Sequence, residues 1–218
     1  MMARLLGGNH EFRVSYILEK YFSDTDPYSD PFDTIEKRIS VVLDLLQGVE
    51  SEAFIDSSNL YIHFMDAVHV LYPSAKFILT VRNGRDFVRS AFSRRWHEKV
   101  MFGTVPQKND PYFDKWDLMT PLQKNAWIWS YRNKKAIEGL KVIPEKQKFI
   151  LRIEDITKTE VQNSLQAFSG IKINRSTAEK KYNANPSFDL PPKEDWTVAQ
   201  NREFDEIAGE MMRFFGYD

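Results

Sequence analysis

KFILTVRNGRDFVRS, residues 76–90, is the stretch on which the reading of this chain turns. Its first six residues form a compact apolar run, the signature of a short strand covered on both faces. Asn83-Gly84 lets the chain turn. A helix is then predicted from about Arg85-Asp86, with Phe87, Val88, Ala91 and Phe92 available for packing. In parallel α/β folds ligands gather beyond the carboxyl ends of the strands. Arg82 stands at such an end, and Ser90 follows eight residues later on the second turn of the helix. A guanidinium fork, a hydroxyl and a helix N-terminus together suit a phosphate group. A plainer reading pairs Arg82 with Asp86 and leaves Arg85 and Arg89 in solvent. Spacing alone leaves both open.

Outward from this stretch, two more strand-like runs occur, AFID (53–56) and KFILRI (148–153). Helices are predicted over 34–47, where Ile35, Ile39, Val42, Leu43 and Leu46 share a face, and over 59–71. A third runs from 121 to 140, with Thr120 as N-cap and Pro121 at the first helical position. Thr157 with Glu160, and Thr197 with Gln200, fit capping boxes. Gly170 and Gly216 stand where helices stop. Strands alternating with helices predict an α/β protein with three layers, α/β/α, around a central parallel sheet. At 218 residues the chain reads as one domain, 1–218. Residues 23–33, 101–119 and 174–195 read as loops, and long loops often shape substrate sites.

Composition narrows the function classes. Thirty basic residues against thirty-one acidic ones argue against a general nucleic-acid binder, so a polyanion site must be local. With no cysteine there is no disulfide, thiolate metal site or thiol nucleophile. The sequence has no apolar run long enough for a membrane span, and its first residues are too polar for a signal peptide, so a cytoplasmic protein is expected. His63 and His69, six apart, do not share a helix face as a metal pair would. His97 fits a helix end better than a catalytic position, and Trp127, Trp129 and Tyr131 fit packing.

The segment YPSAKFILTVRNGRDFVRS (72–90) resembles the 3′-phosphate-binding segment of sulfotransferases that use 3′-phosphoadenosine 5′-phosphosulfate (PAPS). The resemblance implies that Arg82 and Ser90 hold the 3′-phosphate, within a P-loop-NTPase-like sulfotransferase fold. FIDSSN (54–59) is similar to the family's strand and Asp-Ser-Ser-Lys turn, with Asn59 in place of the lysine. The helix bearing Trp127, Trp129 and Asn133, the run LRIEDI (151–156) and the ending FFGY (214–217) are similar to later family segments. MARLLG (2–7) resembles the helix after the phosphosulfate-binding loop, which places that loop and the first strand upstream of Met1. ILEKYF (17–22) resembles the segment carrying the base in carbohydrate-type members. That makes Glu19 the candidate base, with Glu11 second; the alternative for Glu19 is a surface position. Arg152 occupies the place of a residue beside adenine, and Lys180 and Lys181 are further basic candidates for the 3′-phosphate.

The implied activity is transfer of a sulfuryl group from PAPS, as co-substrate, to a hydroxyl of a carbohydrate or small metabolite. No metal is needed, because arginine or lysine balances the charge on a leaving group that is already good. A non-catalytic scaffold binding a nucleotide 3′-phosphate is the alternative. Phosphoryl transfer by a related kinase is a third, for which Asp56 is the available metal-holding carboxylate. Acceptor specificity is expected from loops 23–33 and 98–120.

Overall fold

A computed structural model describes residues 2–23, 25–50, 53–178 and 187–217. Along the chain the elements are α1 (Met2–Leu6), β1 (Asn9–His10), α2 (Val14–Phe22), α3 (Ile35–Leu46), β2 (Asp56–Ser57), α4 (Met65–Leu71), β3 (Phe77–Val81), α5 (Gly84–Ser93), α6 (Pro121–Leu140), β4 (Lys148–Arg152), α7 (Thr159–Ser169), α8 (Arg175–Ala178) and α9 (Val198–Phe214). Short 3-10 turns link several of them. Among the described residues no helix is long and apolar enough to cross a membrane. Lys180 and Lys181 lie outside the described residues.

The chain folds as two compact units interleaved in sequence. The first contains residues 1–24, 31–81 and 136–182. Here β3 and β4 pair in parallel over their whole length, from Phe77 opposite Lys148 to Val81 opposite Arg152. The apolar runs predicted these two strands, and once paired their alternate residues serve two cores. Ile78 and Phe149 pack on a cluster of Leu5, Leu6, Leu151, Ile156 and Leu165. Phe77 and Leu79 pack on Met65, Ala136, Leu140 and Ile143.

The expected single central sheet is not what forms among the described residues. The four strands make two separate parallel pairs, β1–β2 and β3–β4. β1–β2 has two residues per strand, with Asn9 opposite Asp56 and His10 opposite Ser57. Two constraints keep it short. Glu11 and Arg13 take left-handed backbone angles, φ 56° and 52°, which end the extended run. Asp56 turns a carboxylate oxygen to Phe12 N at 3.2 Å and the other to the Tyr61 hydroxyl at 3.0 Å. Gly8 precedes this pair because a Cβ there would stand 2.5 Å from the Ile55 side chain.

The helix predicted over 59–71 is interrupted. Residues 59–63 form a 3-10 turn and α4 starts at Met65, since Phe64 leaves helical angles (φ −134°, ψ 19°). Phe64 is fully buried, edge-on to Phe32 at 5.2 Å, so packing overrides the local pattern. The capping box at Thr157 also fails to form: α7 starts at Thr159 with Lys158 as its N-cap. Asp155 organises this entry instead, pairing with Lys158 at 2.7 Å while its carbonyl accepts the Lys158 N–H. The box at Thr197 and Gln200 is complete.

The second unit contains residues 25–30, 82–135 and 183–218. Its frame is α5, residues 121–135 of α6, and α9. Trp127 stacks on Tyr131 at 4.8 Å and meets Trp116 edge-on. Trp129 packs near Phe204 and Phe215. These aromatics are core, as their spacing implied.

Asn83-Gly84 departs from the expected turn. Asn83 is the N-cap of α5, its side-chain oxygen accepting from Arg85 N at 3.0 Å, and Gly84 is already helical. A Cβ at Gly84 would lie 2.7 Å from the Phe204 ring and 3.1 Å from both Met212 Sδ and Trp129. Glycine is therefore required here by close approach. Overpacking at Gly84→Ala is expected to cost about 2–3 kcal/mol, the upper part of the usual range given the 2.7 Å approach to Phe204, and alanine's ~1 kcal/mol of helix propensity leaves a net loss of about 1–2 kcal/mol. Urea denaturation checks this, and an unchanged or raised midpoint contradicts the packing argument.

Candidate functional site

Three arginines surround the N-terminal half of α5, and the structure sorts them. Arg85 is bound to α9: its Nε donates to Asn201 at 3.0 Å, a terminal nitrogen forks onto Asp205 at 2.8 and 3.0 Å, and its guanidinium lies 4.7 Å from the Phe204 ring centre. Arg89 is bound to the segment before α9, donating to the Leu190 carbonyl at 3.0 Å and covering the Phe188 ring at 3.9 Å. Arg82 is different. It is exposed, and among the described residues its side chain makes no hydrogen bond or ion pair.

The pairing of Arg82 with Asp86 does not form, because Lys193 occupies Asp86 at 3.0 Å. The main chain at Arg82 is nevertheless fixed, its carbonyl accepting the Trp129 indole N–H at 3.0 Å. It precedes the first turn of α5, whose N–H groups are taken up by Met212 Sδ and by the side chain and carbonyl of Asn83, so that what an anion meets there is the positive end of the helix dipole. Ser90 is half-buried one helical turn beyond Asp86. The late loop also comes onto this helix: Ser93 Oγ accepts from Asp189 N at 2.9 Å, and Phe188, Leu190 and Lys193 hold Arg89 and Asp86 as described. Arg82 and Ser90 thus belong to the same unit as residues 187–195 of the late loop expected to shape a site.

Glu19 and Arg152 belong to the other unit. Glu19 stands exposed on α2, and the described residues do not enclose its carboxylate. Its main-chain carbonyl accepts the Ser23 hydroxyl at 2.7 Å. The neighbouring Lys20 and Tyr21 both turn to Asp44. Burial, followed by the bond to Asp44, pushes the Tyr21 phenol up to about 12. Arg152 pairs with Asp155 at 2.8 Å, which holds one edge of its guanidinium. Glu11 is exposed at its left-handed backbone position. Asn59 is exposed at the start of the 3-10 turn capped by Ser58.

The histidines divide as packing and hydrogen-bonding groups. His63 packs beside Phe32 and Phe64. His97 Nδ1 is 3.2 Å from the Asn125 amide, and burial lowers its pKa. Among the described residues no group of three or more His, Asp or Glu side chains is arranged to hold a metal ion. Loop 98–120 contributes Tyr112, Lys115, Leu118 and Met119 to an open cleft of about 370 Å³ closed by Gln123, Glu206 and Ile207.

No family model matches the sequence, and no curated protein matches it. Solved structures do. The sulfotransferase domain from the curacin biosynthetic pathway aligns with 83% of this chain and 68% of its own, at 14% identity and a TM-score of 0.52. A sulfotransferase from Alicyclobacillus acidocaldarius aligns over 97% and 94% at 15% identity, with a TM-score of 0.45. The first likeness shows a fold: mixed α/β, of the sulfotransferase kind. The likeness assigns no individual site residue; what each can do rests on the geometry.

That geometry separates stability from binding. Arg85→Met is expected to cost about 1.5–3 kcal/mol, the range for hydrogen bonds to a charged group, whereas Arg82→Gln stays within about 0.5 kcal/mol of the parent, as an exposed position should. Thermal unfolding of the two variants checks the sorting; equal losses contradict it.

Proposed function

We propose that the chain is a sulfotransferase, moving a sulfuryl group from PAPS to a hydroxyl of a carbohydrate or small metabolite. The observation that carries this reading is Arg82, whose guanidinium is uncommitted among the described residues while its backbone is held at a helix N-terminus. Arg82 and Ser90 are assigned to the 3′-phosphate. A forked cation and a hydroxyl match its oxygens, and the positive end of α5 adds to the attraction. Arg152, anchored on Asp155, is assigned to the adenine, where a planar guanidinium can stack.

In the reaction the acceptor oxygen attacks sulfur in line with the bridging oxygen. The S–O bond to the phosphate breaks, and adenosine 3′,5′-bisphosphate leaves with that electron pair. The acceptor's proton must be removed as the new bond forms, a role assigned to the Glu19 carboxylate. The exposure of Glu19 supports a second reading: a scaffold that binds the nucleotide 3′-phosphate without turnover.

Calorimetric titration with adenosine 3′,5′-bisphosphate, run beside PAPS turnover on a pool of hydroxyl acceptors, decides between them. Arg82→Gln is expected to weaken nucleotide binding at least about tenfold, and Ser90→Ala by less, following the ~1.5–3 and ~0.5–1.5 kcal/mol of charged and neutral hydrogen bonds. Glu19→Gln is expected to abolish turnover with nucleotide affinity unchanged. Binding without turnover in the parent selects the scaffold, and absence of nucleotide binding defeats both readings.

A further inference from the structure

The second unit holds another cation that has no hydrogen bond or ion pair among the described residues. Arg132, on α6, places its guanidinium 4.5 Å from the centre of the Trp96 ring. Among the described residues it makes no hydrogen bond and no ion pair. The residue keeps some contact with solvent, yet surrounding protein crowds the guanidinium enough that burial pulls its pKa down to about 10. An indole face attracts the cation but accepts none of its five N–H donors in the usual way. A crowded charge left in that state is costly unless an anion meets it.

Among the described residues no carboxylate pairs with Arg132, and the acidic groups of this unit nearby in sequence are turned to other partners. Glu98, in the same turn as Trp96, turns its Oε1 to Arg95, accepting from Nε and a terminal nitrogen at 2.7–2.8 Å, and the same oxygen stands 3.5 Å from His97. Asp110 takes the Tyr112 N–H and the Trp127 indole. A second cation instead shares the ring: Lys99 Nζ lies 5.1 Å from the centre of Trp96 and has no ion pair among the described residues. Two positive groups with no ion pair among the described residues thus stand at one half-buried indole, which Phe87 meets edge-on at 6.1 Å.

We propose that Arg132, Lys99 and Trp96 form a binding site for a carboxylate carried on a flat organic body. The Arg132 fork meets both carboxylate oxygens, Lys99 adds a charge at the rim, and the body of the ligand packs against the exposed part of the half-buried indole. None of these residues belongs to the Arg82–Ser90 pair. The site stands whether or not the chain transfers sulfuryl groups; if it does, the site selects acceptors bearing an acid group on a flat frame.

Benzoate is the probe, followed by calorimetry and by the Trp96 indole and Arg132 Nε resonances in ¹H–¹⁵N spectra. Saturable binding that moves both resonances is expected, with Arg132→Gln weakening it at least about tenfold. Lys99→Gln, at an exposed position, is expected to weaken binding about threefold and to flatten its salt dependence. Inorganic sulfate is expected to bind more weakly than benzoate, since it has no flat body. The proposal is overturned by lack of saturable binding, by unchanged affinity in both variants, by sulfate matching benzoate, or by displacement of benzoate by adenosine 3′,5′-bisphosphate, which would assign the anion to the Arg82 region. Benzoate binding without nucleotide binding upholds this site while removing the sulfotransferase reading.

Discussion

The first turn of α5 fits against α6 and α9 with no room for a side chain, and the arrangement of the second unit follows from that fit. Gly84 presents its N–H to Met212 Sδ at 3.3 Å and its α-carbon to Phe204 and Trp129. Asn83 closes the turn from the other end by capping Arg85. With the helix start fixed in this way, Arg85 falls onto α9, Arg89 onto residues 188–190, and Arg82 onto neither. The division of labour among the arginines is a consequence of where a helix begins.

The same logic separates anchoring from reception at the other cations. Lys193 on Asp86, Arg152 on Asp155 and Arg38 forked on Asp66 each have a carboxylate within 3.0 Å. Arg82 and Arg132 have no such partner among the described residues, though one is exposed and the other crowded beside an indole. Exposure makes the first inexpensive to leave unpaired. Crowding makes the second expensive, and that asymmetry is why the Arg132 region points to a ligand on physical grounds of its own.

Much of this architecture was legible from local pattern. The strands at 77–81 and 148–152, the helix from Pro121 to Leu140 and the box at Thr197 follow from apolar runs and capping chemistry. What escaped is non-local. Nothing near Phe64 in sequence announces that Phe32 will bury it and break a helix. The glycine at 84 reads as a turn until Phe204, far along the chain, is placed above it. β1 is an Asn-His pair with no strand signal, created by its partner at Asp56–Ser57. In the candidate site, the position of Arg82 was readable from the end of a strand run. The partners of Arg85 and Arg89 were not, since they come from residues 188–205. Arg132 escaped because a cation beside an aromatic-rich helix looks like ordinary surface until its donors are counted.

The indole bond to the Arg82 carbonyl has a thermodynamic corollary. Trp129 is almost wholly enclosed, and it pins the peptide at the head of α5 before any guest arrives. Capturing an anion there need not freeze any main-chain torsion. The disorder surrendered is confined to the side chain, about 2 kcal/mol of rotamer freedom at most for an arginine, so a modest set of contacts leaves a net gain.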